Sequence, residues 1–294
     1  MSGREWFIER YRAMGSTLAG DETTPKAIRI NSFRTTDEKL VETLTEQGVE
    51  LEKIPYLDHG YKVQYSPFSL GASIEYLLGQ YSLQETASQY PVQALLPTPE
   101  DRLLDMASAP GGKTTQAAAY MQNKGIIVAV DINRERLFAT ENNVERCRVI
   151  NTSIHHVDAL ELPDEEGFTK VLLDAPCSGN YVTDKQWFKR RIMEDIERNA
   201  ELQKRLITKA LNLLVSGGVL LYSTCSLEPE ENEQNVQWLL ENHDVELVEL
   251  KGPGAPAVTD TDSIDLDKKI SYCRRFWPDV TGTQGFFVAK VVKR

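Results

Sequence analysis

Apolar positions recur along the chain with two different periods, and the switches between them outline its elements. The first fifteen residues place Trp6, Phe7, Arg10 and Tyr11 at helical spacing. AIRINSF then alternates as a strand, and DEKLVETLTEQG reads as a helix opened by Asp37 and closed by Gly48. VELEKI and YKVQY read as two short strands, and FSLGASIEYLLGQY as another helix. Strand, helix, strand, strand, helix is the order that opens a split βαβ unit, an arrangement found in many RNA-binding sheets. No RNP-type aromatic motif accompanies it, so the likeness is architectural. TASQYPVQALLPTPEDR, rich in turn residues, reads as the lead into a larger unit.

From there strands and helices alternate as in a doubly wound α/β domain. RLLDM, GIIVAVD, NTSIHHVDAL, TKVLLDAP and SGGVLLYSTCS read as successive strands, with helices over GGKTTQAAAYMQ, NRERLFATENNVERC and MEDIERNAELQKRLITKALNLLV. PEENEQNVQWLLENH reads as a helix whose first turn holds Pro229 and acidic residues, where the helix dipole favours them. DVELVEL is a further strand, KGPGAPAVTDTDSIDLDKK a surface loop, and SYCRRFWPD with TGTQGFFVAKVV a closing antiparallel pair. The expected division is a small α+β unit over residues 1–86 and an α/β core over residues 87–294.

Composition changes this picture in four places. A chain of 294 residues, 41% hydrophobic and 26% charged, slightly exceeds what one core usually supports, in keeping with two units. MSGREWFIER has no apolar h-region, and no run approaches the ~18 apolar residues of a membrane span, so a soluble, cytoplasmic protein is expected. Cys147, Cys177, Cys225 and Cys273 are widely spaced with no CxxC pair, which predicts free thiols and neither a metal site nor a disulfide framework. The net charge of −11 argues against a polyanionic partner, yet screening acts over about 8 Å, so local patches decide. Lys185, Lys189, Arg190 and Arg191 interleave with Trp187 and Phe188, and Arg274 and Arg275 precede Phe276 and Trp277. Each patch reads either as a solvated face over core aromatics or as a nucleic-acid contact.

In doubly wound sheets ligands sit beyond the carboxyl ends of the strands. Those ends carry Asp105 with the loop ASAPGGKT, then Asp131, Asp158, Asp174 with APCSG, and Cys225 in STCS. A phosphate-loop ATPase would use the loop and Asp174 but leave the other residues idle. An adenosine cofactor uses more of them: Asp131 follows Gly112 by 19 residues, near the ~20 expected of an acid that binds ribose hydroxyls, and Asp158 could accept from an adenine amino group. Pro110, Gly111 and Gly112 would let backbone approach the cofactor, with Lys113 beside it and the helix N-terminus facing a carboxylate. Cys177 and Cys225 lie 48 residues apart, but they follow strands expected to be neighbours, in turns rich in Ser, Pro and Gly. An accessible thiol of lowered pKa fits such turns better than a buried filler does.

DMASAPGGKT, VAVDINRERL, LLDAPCSG, STCS and RFWPD followed by GFFVAKV resemble, in order, the signature motifs of the RNA cytosine-5 methyltransferases of the Sun family. The resemblance runs from about Ser88 to the C-terminus and, in its short architecture, is similar to the archaeal tRNA enzymes of that family. It implies a Rossmann-like core bound to S-adenosyl-L-methionine through Ala107, Ser108, Ala109, Pro110, Gly111, Gly112, Lys113, Asp131, Arg136, Asp158 and Asp174, with residues 1–86 as an RNA-recognition-like subdomain. It also implies Cys225 as the nucleophile that adds to carbon 6 of cytosine and activates carbon 5, Cys177 as the group that helps product release, and Asp174 as a partner of the base, with Lys113 nearby. The residues alone leave the order of the two cysteines open, since Cys177 follows a proline as the nucleophile of DNA cytosine methyltransferases does. A monomer acting on tRNA is expected, with rRNA, a phosphate-loop NTPase and a catalytically silent RNA-binding protein as alternatives. The family commonly has WPH where this chain has Trp277, Pro278 and Asp279. His155 and His156 are expected to face core and solvent, one each, without a catalytic role.

Overall fold

The structure, a computed structural model, describes residues 3–261 and 264–294. The chain forms two compact units: Pro25–Leu162, and the residues up to Thr24 together with Pro163–Arg294. Helix α1 (Arg4–Ala13) therefore belongs with the C-terminal half. Met1 and Ser2 of the expected helix lie outside the described residues.

The unit Pro25–Leu162 opens with β1 (Ala27–Ile30), α2 (Asp37–Glu46), β2 (Glu50–Lys53) and β3 (Gly60–Tyr65), followed by the single helical turn α3 (Ile74–Leu77) and β4 (Tyr81–Leu83). Their order in the sheet is β2-β3-β1-β4, antiparallel throughout. Ile28, Ile30, Leu40, Leu44 and Tyr81 form its core. FSLGASIEYLLGQY is thus not one helix. Gly79 turns the chain with φ +70° in a place where a Cβ would stand 2.1 Å from the carbonyl of Arg146, and the residues after it become an edge strand. The turn-rich TASQYPVQALLP folds as α4 (Thr86–Leu95) despite Pro91. Glu85 caps it by accepting from the N–H groups of Ala87 and Ser88, and burial of Ala87, Tyr90, Val92 and Leu95 outweighs the interrupted ladder. Next come β5 (Arg102–Asp105), α5 (Gly112–Tyr120), β6 (Ile126–Asp131), α6 (Arg134–Arg146) and β7 (Thr152–His156). β5, β6 and β7 pair in parallel, as alternation with helices requires.

The other unit holds β8 (Phe168–Asp174), α7 (Trp187–Arg190), α8 (Met193–Leu213), β9 (Leu214–Thr224), α9 (Glu233–Asn242) and β10 (Val245–Val248). Beyond them are the two-residue β11 (Ala255–Pro256), β12 (Asp260–Thr261) and β13 (Ile264–Asp265), then β14 (Arg274–Phe276), α10 (Pro278–Thr281) and β15 (Phe286–Lys293). β8 and β9 are parallel, β15 runs antiparallel to β9, and the expected closing pair β14 and β15 is antiparallel. The expected loop over residues 251–269 contains β11 to β13, and its Asp262 and Ser263 lie outside the described residues. A second core joins Phe7, Tyr11 and Leu18 to Tyr181, Trp187, Ile196, Leu227 and Trp277. Among the described residues no helix is long and apolar enough to cross a membrane.

Candidate active site

At the end of β5 the chain needs a tight reversal before α5, and Gly111 supplies it. Its φ of +93° is left-handed, and an added Cβ would lie 3.0 Å from the Cα of Thr140. The loop is tied to the end of β6: the N–H of Ala109 donates to Asp131 Oδ2 at 3.0 Å, and Arg136 donates to the carbonyl of Ala109 at 2.6 Å. Asp131 Oδ1 accepts from the N–H of Asn133 at 2.8 Å, and Asn143 reaches the carbonyl of Pro110 at 2.8 Å. Arg136 thus braces the loop. Ala107, Ser108, Ala109, Pro110, Gly111, Gly112, Asp131 and Arg136 are brought together in this cluster, with Lys113 half-buried in the first turn of α5.

Two observations bear on what the loop holds. The hydroxyl of Ser108, 3% exposed, is buried without a hydrogen-bond partner, and Ile132, directly after Asp131, is an exposed apolar side chain. A polar atom awaiting a partner beside a ribose-type acid and a free apolar face suits an adenosine ligand. Neither Ser108 as an orphan nor Ile132 carries a distinctive sequence signal. A phosphate loop would turn Thr114 towards magnesium, yet its hydroxyl is fully buried and donates to Asp105 Oδ2 at 2.7 Å. Asp158 is half-buried and caps a short 3-10 turn, accepting from the N–H of Leu160 at 2.9 Å. His155 and His156 are both exposed, because β7 is an edge strand, so neither faces a core.

In the other unit the parallel pairing of β8 and β9 sets Asp174 opposite Ser223, whose hydroxyl donates to Asp174 Oδ1 at 2.8 Å. The two chains then turn outward together. Cys177 Sγ and Cys225 Sγ come within 3.2 Å of each other, both half-buried and both free. The hydrogen bond to Cys225, then burial, then the neighbouring charges including Glu231 push the Cys177 thiol well above its ordinary value.

Residues overlooked in the sequence hold this geometry. Asn180 donates to the carbonyl of Cys225 at 2.7 Å, Gln203 to that of Pro176 at 2.9 Å, and Trp187 through Nε1 to that of Ser178 at 2.8 Å. The segment Pro229–Asn232 is a turn ahead of α9 rather than the expected first turn of the helix, and Glu228, Glu231, Asn232 and Glu233 are fully buried. The concentration of Glu and Asn directly after STCS was the available signal. The basic patches also differ from expectation. Trp187 is core, Phe188 stacks on Tyr181 at 4.8 Å, and Arg275, Phe276 and Trp277 are buried, with Arg275 paired to Glu233. Arg274 is committed to the carbonyls of Gly252, Pro253 and Gly254. Packing of β14 against the apolar β15 claims this second patch, which leaves Lys185, Lys189 and Arg190 as the exposed cations.

Residues 92–292 match the family described as 16S rRNA methyltransferase RsmB/F. The chain belongs to this family. The RsmB/F chain is 36% identical over 273 residues to the tRNA (cytosine(49)-C(5))-methyltransferase of Pyrococcus abyssi, covering 91% of this chain and 88% of that protein. It is 38% identical over 284 residues to the 28S rRNA (cytosine-C(5))-methyltransferase of Mus musculus, covering 94% of this chain and 36% of the mouse protein. The chain spans about a third to a half of the length of the first curated rRNA relatives it matches. NSun6 from Pyrococcus horikoshii, solved with SFG, an S-adenosylmethionine analogue, superposes with a TM-score of 0.85 at 26% identity, over 99% of this chain and 97% of that one. The expected Rossmann-like methyltransferase fold is borne out, and S-adenosylmethionine is the cofactor of RsmB/F methyltransferases.

Proposed function

We propose that this chain is a methyltransferase that converts cytosine to 5-methylcytosine in tRNA, acting as a cytoplasmic monomer. The observation that carries the chemistry is the pair of free thiols 3.2 Å apart at the ends of β8 and β9. Carbon 5 of cytosine is a poor nucleophile until a thiolate adds at carbon 6 and pushes electron density round the ring. Cys225 is assigned that addition. Cys177, whose sulfur lies 3.2 Å from that of Cys225, is assigned to assist release of the Cys225 sulfur as the carbon 5 proton passes to water and the carbon–sulfur bond breaks. Asp174, oriented by Ser223, bonds the base at ring nitrogen 3 and favours charge build-up there. Asp131, Ser108 and the backbone around Gly111, with Lys113, Asp158 and Ile132, are assigned to S-adenosylmethionine. When bound, that cofactor supplies a methyl group on a sulfonium. The small sheet of β1 to β4 is assigned to RNA contact, within the expected subdomain 1–86 from which α1 departs by packing with Pro163–Arg294.

The substrate is read as tRNA because a tRNA-modifying relative is 36% identical across 91% of this chain, with rRNA as the alternative. Nucleoside mass spectrometry on unmodified tRNA incubated with protein and S-adenosylmethionine tests this, with Cys225→Ala as control. The expected result is 5-methylcytosine that disappears in the variant. Product on rRNA alone would move the substrate, and product that survives in the variant would overturn the assignment of Cys225.

A further inference from the structure

The residue after each cysteine is a serine, and the two serines are linked to one carboxylate in series. Glu231 lies in the turn ahead of α9 and is fully buried. Its two oxygens accept the N–H of Ser178 at 3.0 and 3.2 Å, and Oε2 also accepts the Ser178 hydroxyl at 2.9 Å. The Ser226 hydroxyl stands 3.1 Å from the Ser178 hydroxyl, so it is joined to the carboxylate through Ser178. The carbonyl of Glu231 accepts from Tyr222 on β9 at 2.5 Å, so the carboxylate is anchored to the strand that delivers Cys225. Burial of a carboxylate is unfavourable unless its bonds are made, and here they are made by the turn that carries Cys177.

We infer that Glu231 is the positioning residue that sets the separation of Cys177 and Cys225 by clamping Ser178 and Ser226 together. The inference rests on the roles proposed above for the two thiols. Glutamine in its place presents an NH2 group to the Ser178 donors already in position, so the Cys177 turn is expected to shift away from that of Cys225. A misplacement of about 1 Å at reacting groups costs on the order of a hundredfold in rate. The neighbouring polar contacts are local to the turns, so binding of RNA and cofactor should be spared.

Two readouts on the whole protein test this. Hydrogen peroxide takes two electrons from a close thiol pair and gives a disulfide and water, so the rate of Cys177–Cys225 disulfide formation reports their spacing without any methyl transfer. Glu231→Gln is expected to slow that rate and to lower kcat, each at least tenfold, with KM for RNA and for S-adenosylmethionine unchanged. Glu231→Asp, which keeps the charge, should recover part of both. Should Glu231→Gln fail to fold, Ser178→Ala removes the hydroxyl bond alone and is expected to slow disulfide formation by a smaller factor. A disulfide rate within twofold of native in the folded variants overturns the clamp, even if activity falls. A slowed disulfide rate in a protein that methylates no RNA supports the clamp and overturns the proposed function instead.

Discussion

Gly111 stands at φ +93° with the Cα of Thr140 only 3.0 Å from where a side chain would begin, so the loop after β5 and α6 share one space. Gly111→Ala should cost about 1–3 kcal/mol through the left-handed backbone, before any push against Thr140 is counted. Urea unfolding and titration with S-adenosylhomocysteine check it: both stability and affinity are expected to fall, and a variant that retains both would show that the loop relaxes freely. The difference between Gly111 and Glu231 shows what a sequence displays. A glycine in a strand-to-helix turn announces its role through its type, as do two cysteines in Ser- and Pro-rich turns. Glu231 sits in an acidic run that looks like an ordinary helix start, and only the fold turns that run inward.

Helix α1 is fixed to the cysteine-bearing unit by charge as well as by packing. Arg10 bonds Glu228 and Glu230, Tyr11 bonds Glu228, and Phe7 and Tyr11 pack with Trp187 and Trp277. Burial pushes the Glu228 carboxyl up to about 7, opposed by Arg10 and Tyr11 and reinforced by Glu230 and Glu231. A carboxyl whose folded pKa lies above its unfolded value binds protons more readily in the fold. Its stabilising contribution is therefore present below about pH 4.5, the unfolded value, and is lost as pH rises through about 7. At about 1.4 kcal/mol per unit of displacement this is readable in thermal melts. Melting temperature should fall from pH 5 to pH 8, and Glu228→Gln should flatten that slope; an unchanged slope would place the titration elsewhere. Elements of strong period, such as α6, α8 and the strands β5, β6 and β8, were legible in the sequence. The region 67–95 was not, because Gly79 and Pro91 act against the local pattern and tertiary burial decides between helix and strand there.

Across the whole molecule the net charge is −11, so any RNA affinity must come from local cations. Lys185, Lys189 and Arg190 are the exposed members of the first patch, whereas the second is consumed by the fold. Reversing these three charges should weaken RNA binding and lower the slope of log K against log salt by about 0.7 for each single-strand phosphate no longer neutralised, roughly 2 in all. Filter binding across a salt series measures it, and an unaltered slope would move the RNA path to another face. The membership of α1 in the unit that contains Pro163–Arg294 has a consequence for synthesis. At about 5–20 residues per second, Phe7 and Tyr11 leave the ribosome some tens of seconds before Trp277. For most of that interval they have half a core and no partner, and Pro25–Leu162 is completed first. The cysteine-bearing unit can close only after its last strands emerge, so the apolar face of α1 waits unpaired while most of the residues that follow it are made.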